Sequence, residues 1–177
     1  MNEHKSSAEK YRPKKAEILL IGESPPSGKK YFYWPTKMNP NRDIKNYNSL
    51  PATIFYHFFQ EIPSTPERYE QLLVKLQQEK HIFLMDIIDE PLKIRDKCFP
   101  NQINPDNLEK LKSRIPHLRE KIRNRGITIS DDKIIFLLPR QHYKKELKQH
   151  FPDSKYFRWK EYRLSCEKEG MQKTANS

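Results

Sequence analysis

The chain has 177 residues, of which 35% are hydrophobic and 32% charged, and its formal net charge is +11. Such a length predicts one domain that buries a core. The basic balance favours nucleic acid or another polyphosphate as a partner, with single- or double-stranded DNA as the expected one, although a lysine-rich solvated surface gives the same charge. The two cysteines, Cys98 and Cys166, lie far apart, which argues against a cysteine-held zinc or iron–sulfur cofactor and favours a reducing compartment. No apolar run approaches the roughly 20 residues of a membrane span, so we expect a cytoplasmic protein that associates with the nucleoid if it binds DNA.

The amino-terminal part begins with a polar, basic segment, residues 1–15, which we expect to be a flexible arm. An apolar run over about 17–21 predicts the first strand. A loop rich in Pro, Asn, Lys and Tyr then extends from Glu23 to about Asn48. A loop of that length in a compact domain is usually functional or disordered.

Two helices and a second strand follow this loop. One helix is predicted over about 50–61. The next begins at Pro66 with Thr65 as its N-cap, since both residue types are typical of those positions. Its buried face is predicted, at helical spacing, to consist of Tyr69, Leu72, Leu73 and Leu76. The second strand, over 81–86, is apolar and ends in Asp86.

The remaining elements continue this alternation. Two helical pieces, over about 105–114 and 116–125, are divided by Pro116 and closed by Gly126. A third strand follows over 133–138 and a helix over about 141–150. A weaker fourth strand over 156–159 precedes a last helix that extends to about Gly170. Strands that alternate with helices predict a three-layer α/β/α domain with a four-stranded, mostly parallel sheet. We expect this domain to cover residues 16–165, with a polar tail over 166–177, and to be a monomer.

Carboxylates stand at the ends of the first two strands. Glu23 follows an apolar strand and a glycine, and Asp86 ends the second strand. Open α/β folds place active sites at this edge of the sheet, so we expect Glu23 to be a catalytic residue; a surface carboxylate that caps a turn is the alternative. The pair, with Asp89 and Glu90 nearby, would also suit a magnesium-dependent nuclease. We expect no metal, because no strand carries the Glu-x-Lys sequence that would follow the first acid in a metal-dependent nuclease.

Aromatic and basic residues lie on either side of these acids in the sequence. Tyr31, Phe32 and Tyr33 stand in a loop flanked by prolines and lysines, where they either stack on a flat base or belong to the core. A second basic and aromatic stretch occupies the carboxyl-terminal third and suits a groove that follows phosphates. The residues predicted to contact the nucleic-acid backbone are Lys29, Lys30, Arg158 and Lys160.

The stretch Ile21-Gly22-Glu23-Ser24-Pro25 resembles the first motif of the uracil-DNA glycosylase superfamily, a strand that ends in Gly-(Glu/Gln)-x-Pro. The strand Phe83–Ile88 is similar to the second motif of that family, and Leu118–Leu147 resembles its later part in order and spacing. The likeness covers most of residues 16–165. It implies a uracil-DNA glycosylase-like fold and a DNA-repair hydrolase without a cofactor, which flips a base out of the duplex and cleaves its N-glycosidic bond.

By this resemblance Glu23 would orient or activate water, an aromatic side chain from Tyr31 to Tyr33 would stack on the flipped base, and Asp86 would read it. Two departures are visible. The final His-Pro-Ser motif of the family has no counterpart in Tyr156–Lys160, which removes a donor worth about 3–4 kcal/mol in the transition state. Asp86 stands where the family has asparagine, and an ionised carboxylate only accepts hydrogen bonds. It would therefore favour the amino group of cytosine or adenine over the carbonyl of uracil.

These departures leave three interpretations open. The chain is a base-excision enzyme, a descendant that has lost the chemistry, or a non-catalytic DNA- or RNA-binding protein that uses its basic carboxyl-terminal third. The metal-dependent nuclease is a less favoured alternative.

Overall fold

The sheet contains four parallel strands in the order β2-β1-β3-β4. A computed structural model describes residues 3–26, 31–35, 50–92, 105–138 and 143–158. The strands are β1 Ile18–Gly22, β2 Ile82–Asp86, β3 Ile134–Leu138 and β4 Lys155–Arg158. The predicted four-stranded α/β fold is confirmed, and every described strand pair is parallel.

The central strand explains why the apolar runs are continuous rather than alternating. β1 lies between β2 and β3, and Leu19, Leu20 and Ile21 are each 0% exposed. Successive side chains of a strand point to opposite faces, so three consecutive buried residues require cover on both faces of the sheet.

Six helices accompany the strands in the described ranges. They are α1 Glu3–Lys10, α2 Leu50–Phe59, α3 Pro66–Gln78, α4 Pro105–Arg114, α5 Leu118–Asn124 and α6 Lys144–His150. The chain moves from β1 to β2 in one direction and then returns past β1 to β3 and β4. Right-handed crossovers therefore place α2 and α3 on one face of the sheet and α4, α5 and α6 on the other.

Local signals set the helix boundaries as expected. The Thr65 hydroxyl accepts a 3.1 Å hydrogen bond from the backbone N–H of Arg68, and Pro66 occupies the first helical position. The buried residues of α3 are the four predicted, Tyr69, Leu72, Leu73 and Leu76. Pro116 lies in a short 3₁₀ turn, Ile115–His117, that separates α4 from α5, and Gly126 takes a φ of +69° beyond α5.

The prediction of a flexible amino-terminal arm was wrong for the residues described. Residues 3–10 form α1, in which Ala8 is 1% exposed, and Tyr11 beyond it is 3% exposed. The Tyr11 hydroxyl donates to Glu70 at 2.9 Å, and its ring stacks on Tyr33 with centroids 5.7 Å apart. The segment is ordered by these distant partners, which its own polar composition does not reveal.

The loop over residues 36–49, the last helix and the polar tail lie outside the described residues, as does the start of the helix predicted from 141. In the ranges that the structure describes, no helix has both the length and the apolar character needed to cross a bilayer.

Candidate functional site at the carboxyl edge of the sheet

The ends of β1 and β2 lie side by side. The parallel register pairs Gly22 with Asp86, and one residue further the backbone N–H of Ile88 donates to the carbonyl oxygen of Glu23 at 3.0 Å. The expectation that adjacent strands bring Glu23 and Asp86 to one edge of the sheet is therefore confirmed. Their chemical roles remain predictions.

Gly22 is needed because the Asp86 carboxyl group occupies the space beside it. A Cβ atom built on Gly22 would lie 2.5 Å from Oδ1 of Asp86, well inside van der Waals contact. The glycine of the Gly-Glu sequence thus makes room for the acid of the neighbouring strand.

The Asp86 carboxyl group has no hydrogen bond or ion pair with any residue in the described ranges. Asp86 is half-buried, and its enclosed position raises the pKa of its carboxyl to about 7; Lys121 and Arg125 oppose this rise, while Asp89 and Glu23 add to it. At neutral pH this group is therefore protonated about half the time. In its protonated form it both donates and accepts hydrogen bonds.

Glu23 is held by a buried phenol. The hydroxyl of Tyr143 donates to Oε1 of Glu23, and Tyr143 is 0% exposed. Tyr143 immediately precedes α6, on the segment that follows β3, so a third strand end contributes to the site. The sequence analysis assigned Tyr143 only to the basic and aromatic carboxyl-terminal stretch, although its position after the third strand was a usable signal for this site.

Lys121 of α5 binds the backbone at the end of β2. Its ammonium group donates to the backbone carbonyl oxygens of Asp86 at 2.7 Å and Ile87 at 2.9 Å, and it pairs with Asp89 at 2.9 Å. Burial lowers the pKa of Lys121, and the hydrogen bond to Asp89 opposes that effect. Lys121 therefore fixes the backbone that carries Asp86 without neutralising its carboxyl group.

Arg125 ties this network to the amino-terminal helix. Its side chain is 4% exposed, and it bonds Asp89 at 2.6 Å and Glu9 of α1 at 3.2 Å. A buried guanidinium is tolerated only when carboxylates pair with it. Sequence analysis missed both Lys121 and Arg125, because their partners lie 32 to 116 positions away in the chain.

The aromatic residues predicted to read a base lie in the core. Tyr31, Phe32 and Tyr33 are 5%, 5% and 4% exposed. The Tyr33 hydroxyl donates to the carbonyl oxygen of Leu84 at 2.9 Å and accepts from its N–H at 2.8 Å, and the Phe32 ring stacks on Phe55 with centroids 5.6 Å apart. Phe32 and Tyr33 thus hold the loop against β2 and α2, and a stacking role for them stays a prediction.

The hydroxyl of Tyr31 interacts electrostatically with Asp86. Burial raises the pKa of its hydroxyl, and the negative charge of Asp86 raises it further. Tyr31 therefore remains a neutral phenol over the whole physiological pH range.

Several predicted contacts with the nucleic-acid backbone cannot be placed. Lys29, Lys30 and Lys160 lie outside the described residues, and Arg158 is described only by its backbone at the end of β4. Within the described ranges, no group of three or more His, Cys, Asp or Glu side chains is arranged to hold a metal ion.

Comparisons of the chain with family models, with curated proteins and with solved structures found no match.

The close approach of Asp86 to Gly22 predicts a coupled pair of substitutions. Gly22→Ala should lower the free energy of unfolding by about 1–3 kcal/mol, because the added methyl group overlaps the carboxyl oxygen. In an Asp86→Ala background the same change should cost less than about 0.5 kcal/mol. Urea unfolding of the four proteins gives the coupling energy, and an equal cost in both backgrounds would show that the contact is not tight.

The raised pKa of Asp86 predicts how stability depends on pH. In the folded protein the Asp86 carboxyl group keeps its proton up to about pH 7, whereas in the unfolded chain the same group releases it near pH 4. Folding therefore binds a proton in this window, so the contribution of Asp86 to the free energy of unfolding is lost as pH rises. Asp86→Asn should gain about 1–3 kcal/mol relative to wild type between pH 5 and 8.

Urea unfolding at pH 5, 6, 7 and 8 measures this difference, with Asp132→Asn, an exposed aspartate, as the matched control. Parallel pH profiles for wild type and Asp86→Asn would contradict the assignment.

Proposed function

We propose that the chain is a uracil-DNA glycosylase-like hydrolase that acts on a base flipped out of DNA. The observation that carries the proposal is the pair of acids at one sheet edge. Glu23 is held by a buried tyrosine, and the carboxyl group of Asp86 is unpaired among the described residues and has a pKa of about 7. Two carboxyl groups in different environments suit two different tasks in one active site.

In this proposal Glu23 positions the attacking water. The water oxygen forms a bond to the anomeric carbon of the sugar as the bond from that carbon to the base nitrogen breaks. The electron pair of the broken bond leaves with the base, and the water gives its proton to the Glu23 carboxylate. Tyr143 keeps the Glu23 carboxylate in place for this step.

Asp86 is assigned to reading the base. Its protonated form presents one donor and one acceptor, as the asparagine of the resembled family does. The expected preference for cytosine or adenine therefore applies to its ionised form, above pH about 7, while the protonated form below that pH also accommodates the carbonyl of uracil.

The rival interpretations receive less support from the described residues. Tyr143, one of the aromatic residues of the basic carboxyl-terminal stretch, is buried and holds Glu23 instead of offering an exposed ring for stacking. A nuclease that uses Glu23 and Asp86 would need further ligands at this edge, and the nearby Asp89 is already paired with Lys121 and Arg125.

The proposal predicts that Glu23→Gln abolishes base release. Removing a positioned acid or base should lower the rate about 100-fold or more, whereas the fold should be retained because the side chains are nearly equal in size. The assay incubates the protein with oligonucleotides that contain modified bases, followed by alkali to cleave at abasic sites, with and without EDTA.

Glu109→Gln makes the same chemical change at an exposed position of α4 and should leave activity unchanged. Base release that persists in Glu23→Gln would refute the role of Glu23, and strand cleavage that needs divalent cations would favour the nuclease.

A further inference from the structure

A groove of about 330 Å³ adjoins the candidate site on the face of the sheet that carries α5. Its lining comes from three separate parts of the chain and includes Lys5, Ile87, Asp89, Arg114, Lys121 and Arg125. The groove meets the site at the end of β2, where Lys121 donates to the backbone carbonyl oxygen of Asp86 at 2.7 Å. Its volume is at the lower end of the range for small-ligand pockets, about 300–1,000 Å³.

The acidic groups of the groove are largely neutralised. Asp89 pairs with both Lys121 at 2.9 Å and Arg125 at 2.6 Å. Glu9, behind the groove, is bonded to Arg125 at 3.2 Å and to Arg12 at 2.6 Å. Glu120 is the other carboxylate of the lining, and it is exposed to solvent.

Two cations of the groove have no such compensation. Lys5 of α1 and Arg114 at the end of α4 form no hydrogen bond or ion pair with any described residue, and His117 stands beside them in the lining. The lining holds four cations, Lys5, Arg114, Lys121 and Arg125, and two carboxylates, Asp89 and Glu120. Glu90 also interacts electrostatically with Arg114, but it is already paired with Lys110 at 2.5 Å.

We propose that this groove binds a phosphate group of the nucleic-acid backbone, next to the nucleotide whose base enters the candidate site. The choice of DNA rests on the proposed function, whereas the preference for phosphate rests on the charges of the groove. Lys5 and Arg114 supply positive charge that no described carboxylate binds directly, and an arginine can donate two parallel hydrogen bonds to one phosphate. Such contacts position the strand without reading its sequence.

The test compares two double variants that each remove two positive charges. Lys5→Gln with Arg114→Gln empties the groove of its unpaired cations. Lys15→Gln with Lys133→Gln removes two exposed lysines that lie outside its lining. Binding of a fluorescent 12-nucleotide thymidine strand is measured by anisotropy over a range of salt concentrations, and urea unfolding confirms that both variants fold.

The groove variant should bind this strand about 10-fold more weakly than wild type at low salt. Its plot of log affinity against log salt should be shallower by roughly 0.7, since the loss of one phosphate contact on a single strand changes the slope by about 0.7. The control variant should stay within about twofold of wild type. Equal losses in the two variants, or no loss in either, would overturn the proposal.

A second arm identifies the source of the phosphate. Titration with pyrophosphate by calorimetry should show only weak binding to wild type. Tight pyrophosphate binding that the groove variant loses, with unchanged binding of the thymidine strand, would overturn the assignment to DNA and show a site for a free phosphate compound.

The outcome is separable from that of the proposed function. Base release that is unaffected by Glu23→Gln, together with weaker DNA binding by the groove variant, would remove the catalytic proposal and keep the groove. Base release that depends on Glu23, together with equal DNA binding by both double variants, would remove only the groove.

Discussion

The parallel register of β1 and β2 is the constraint on which the candidate site depends. It sets Gly22 level with Asp86, so that the acid of one strand fills the space left by the glycine of the other. A shift by one residue would turn the side chains of β2 to the opposite face of the sheet and separate Asp86 from Gly22. The same pairing continues to Glu23, which brings the second acid out at the edge.

The cations near this edge bind the backbone and Asp89, and they leave the Asp86 carboxyl group without a direct partner among the described residues. Lys121 and Arg125 hold the segment after β2 through Asp89 and through backbone carbonyl oxygens. Neither cation forms a hydrogen bond or ion pair with the Asp86 carboxyl group. Their positive charges lower the pKa of Asp86, but by less than burial raises it. An unpaired acid with a pKa near 7 suits ligand recognition better than stability, because a buried group without a hydrogen-bond partner costs free energy until a ligand binds it.

Local signals were sufficient for the sheet and for one helix in detail. Continuous apolar runs marked the strands because both faces of the sheet are covered, and Thr65 with Pro66 fixed the start of α3 through backbone chemistry that needs no distant partner. The two acids followed from the same logic, since a parallel sheet brings strand ends to one edge. The site residues contributed by other elements could not be found in this way. Tyr143 and Arg125 acquire their positions only when segments far apart in the chain pack together. Helix α1 was missed because Ala8 is its one buried residue, which is too few to show a helical period.

We propose that Asp86 reads the base and that its protonation decides which base the site accepts. The most direct test is the rate of uracil release from a single-stranded oligonucleotide at pH 6 and pH 8, for wild type and Asp86→Asn. With a pKa of about 7 for Asp86, the protonated fraction falls about tenfold over this interval, so wild type should release uracil about tenfold faster at pH 6. Asp86→Asn should be nearly independent of pH and faster than wild type at pH 8. Efficient release by wild type at pH 8, unchanged or lowered by Asp86→Asn, would contradict the claim.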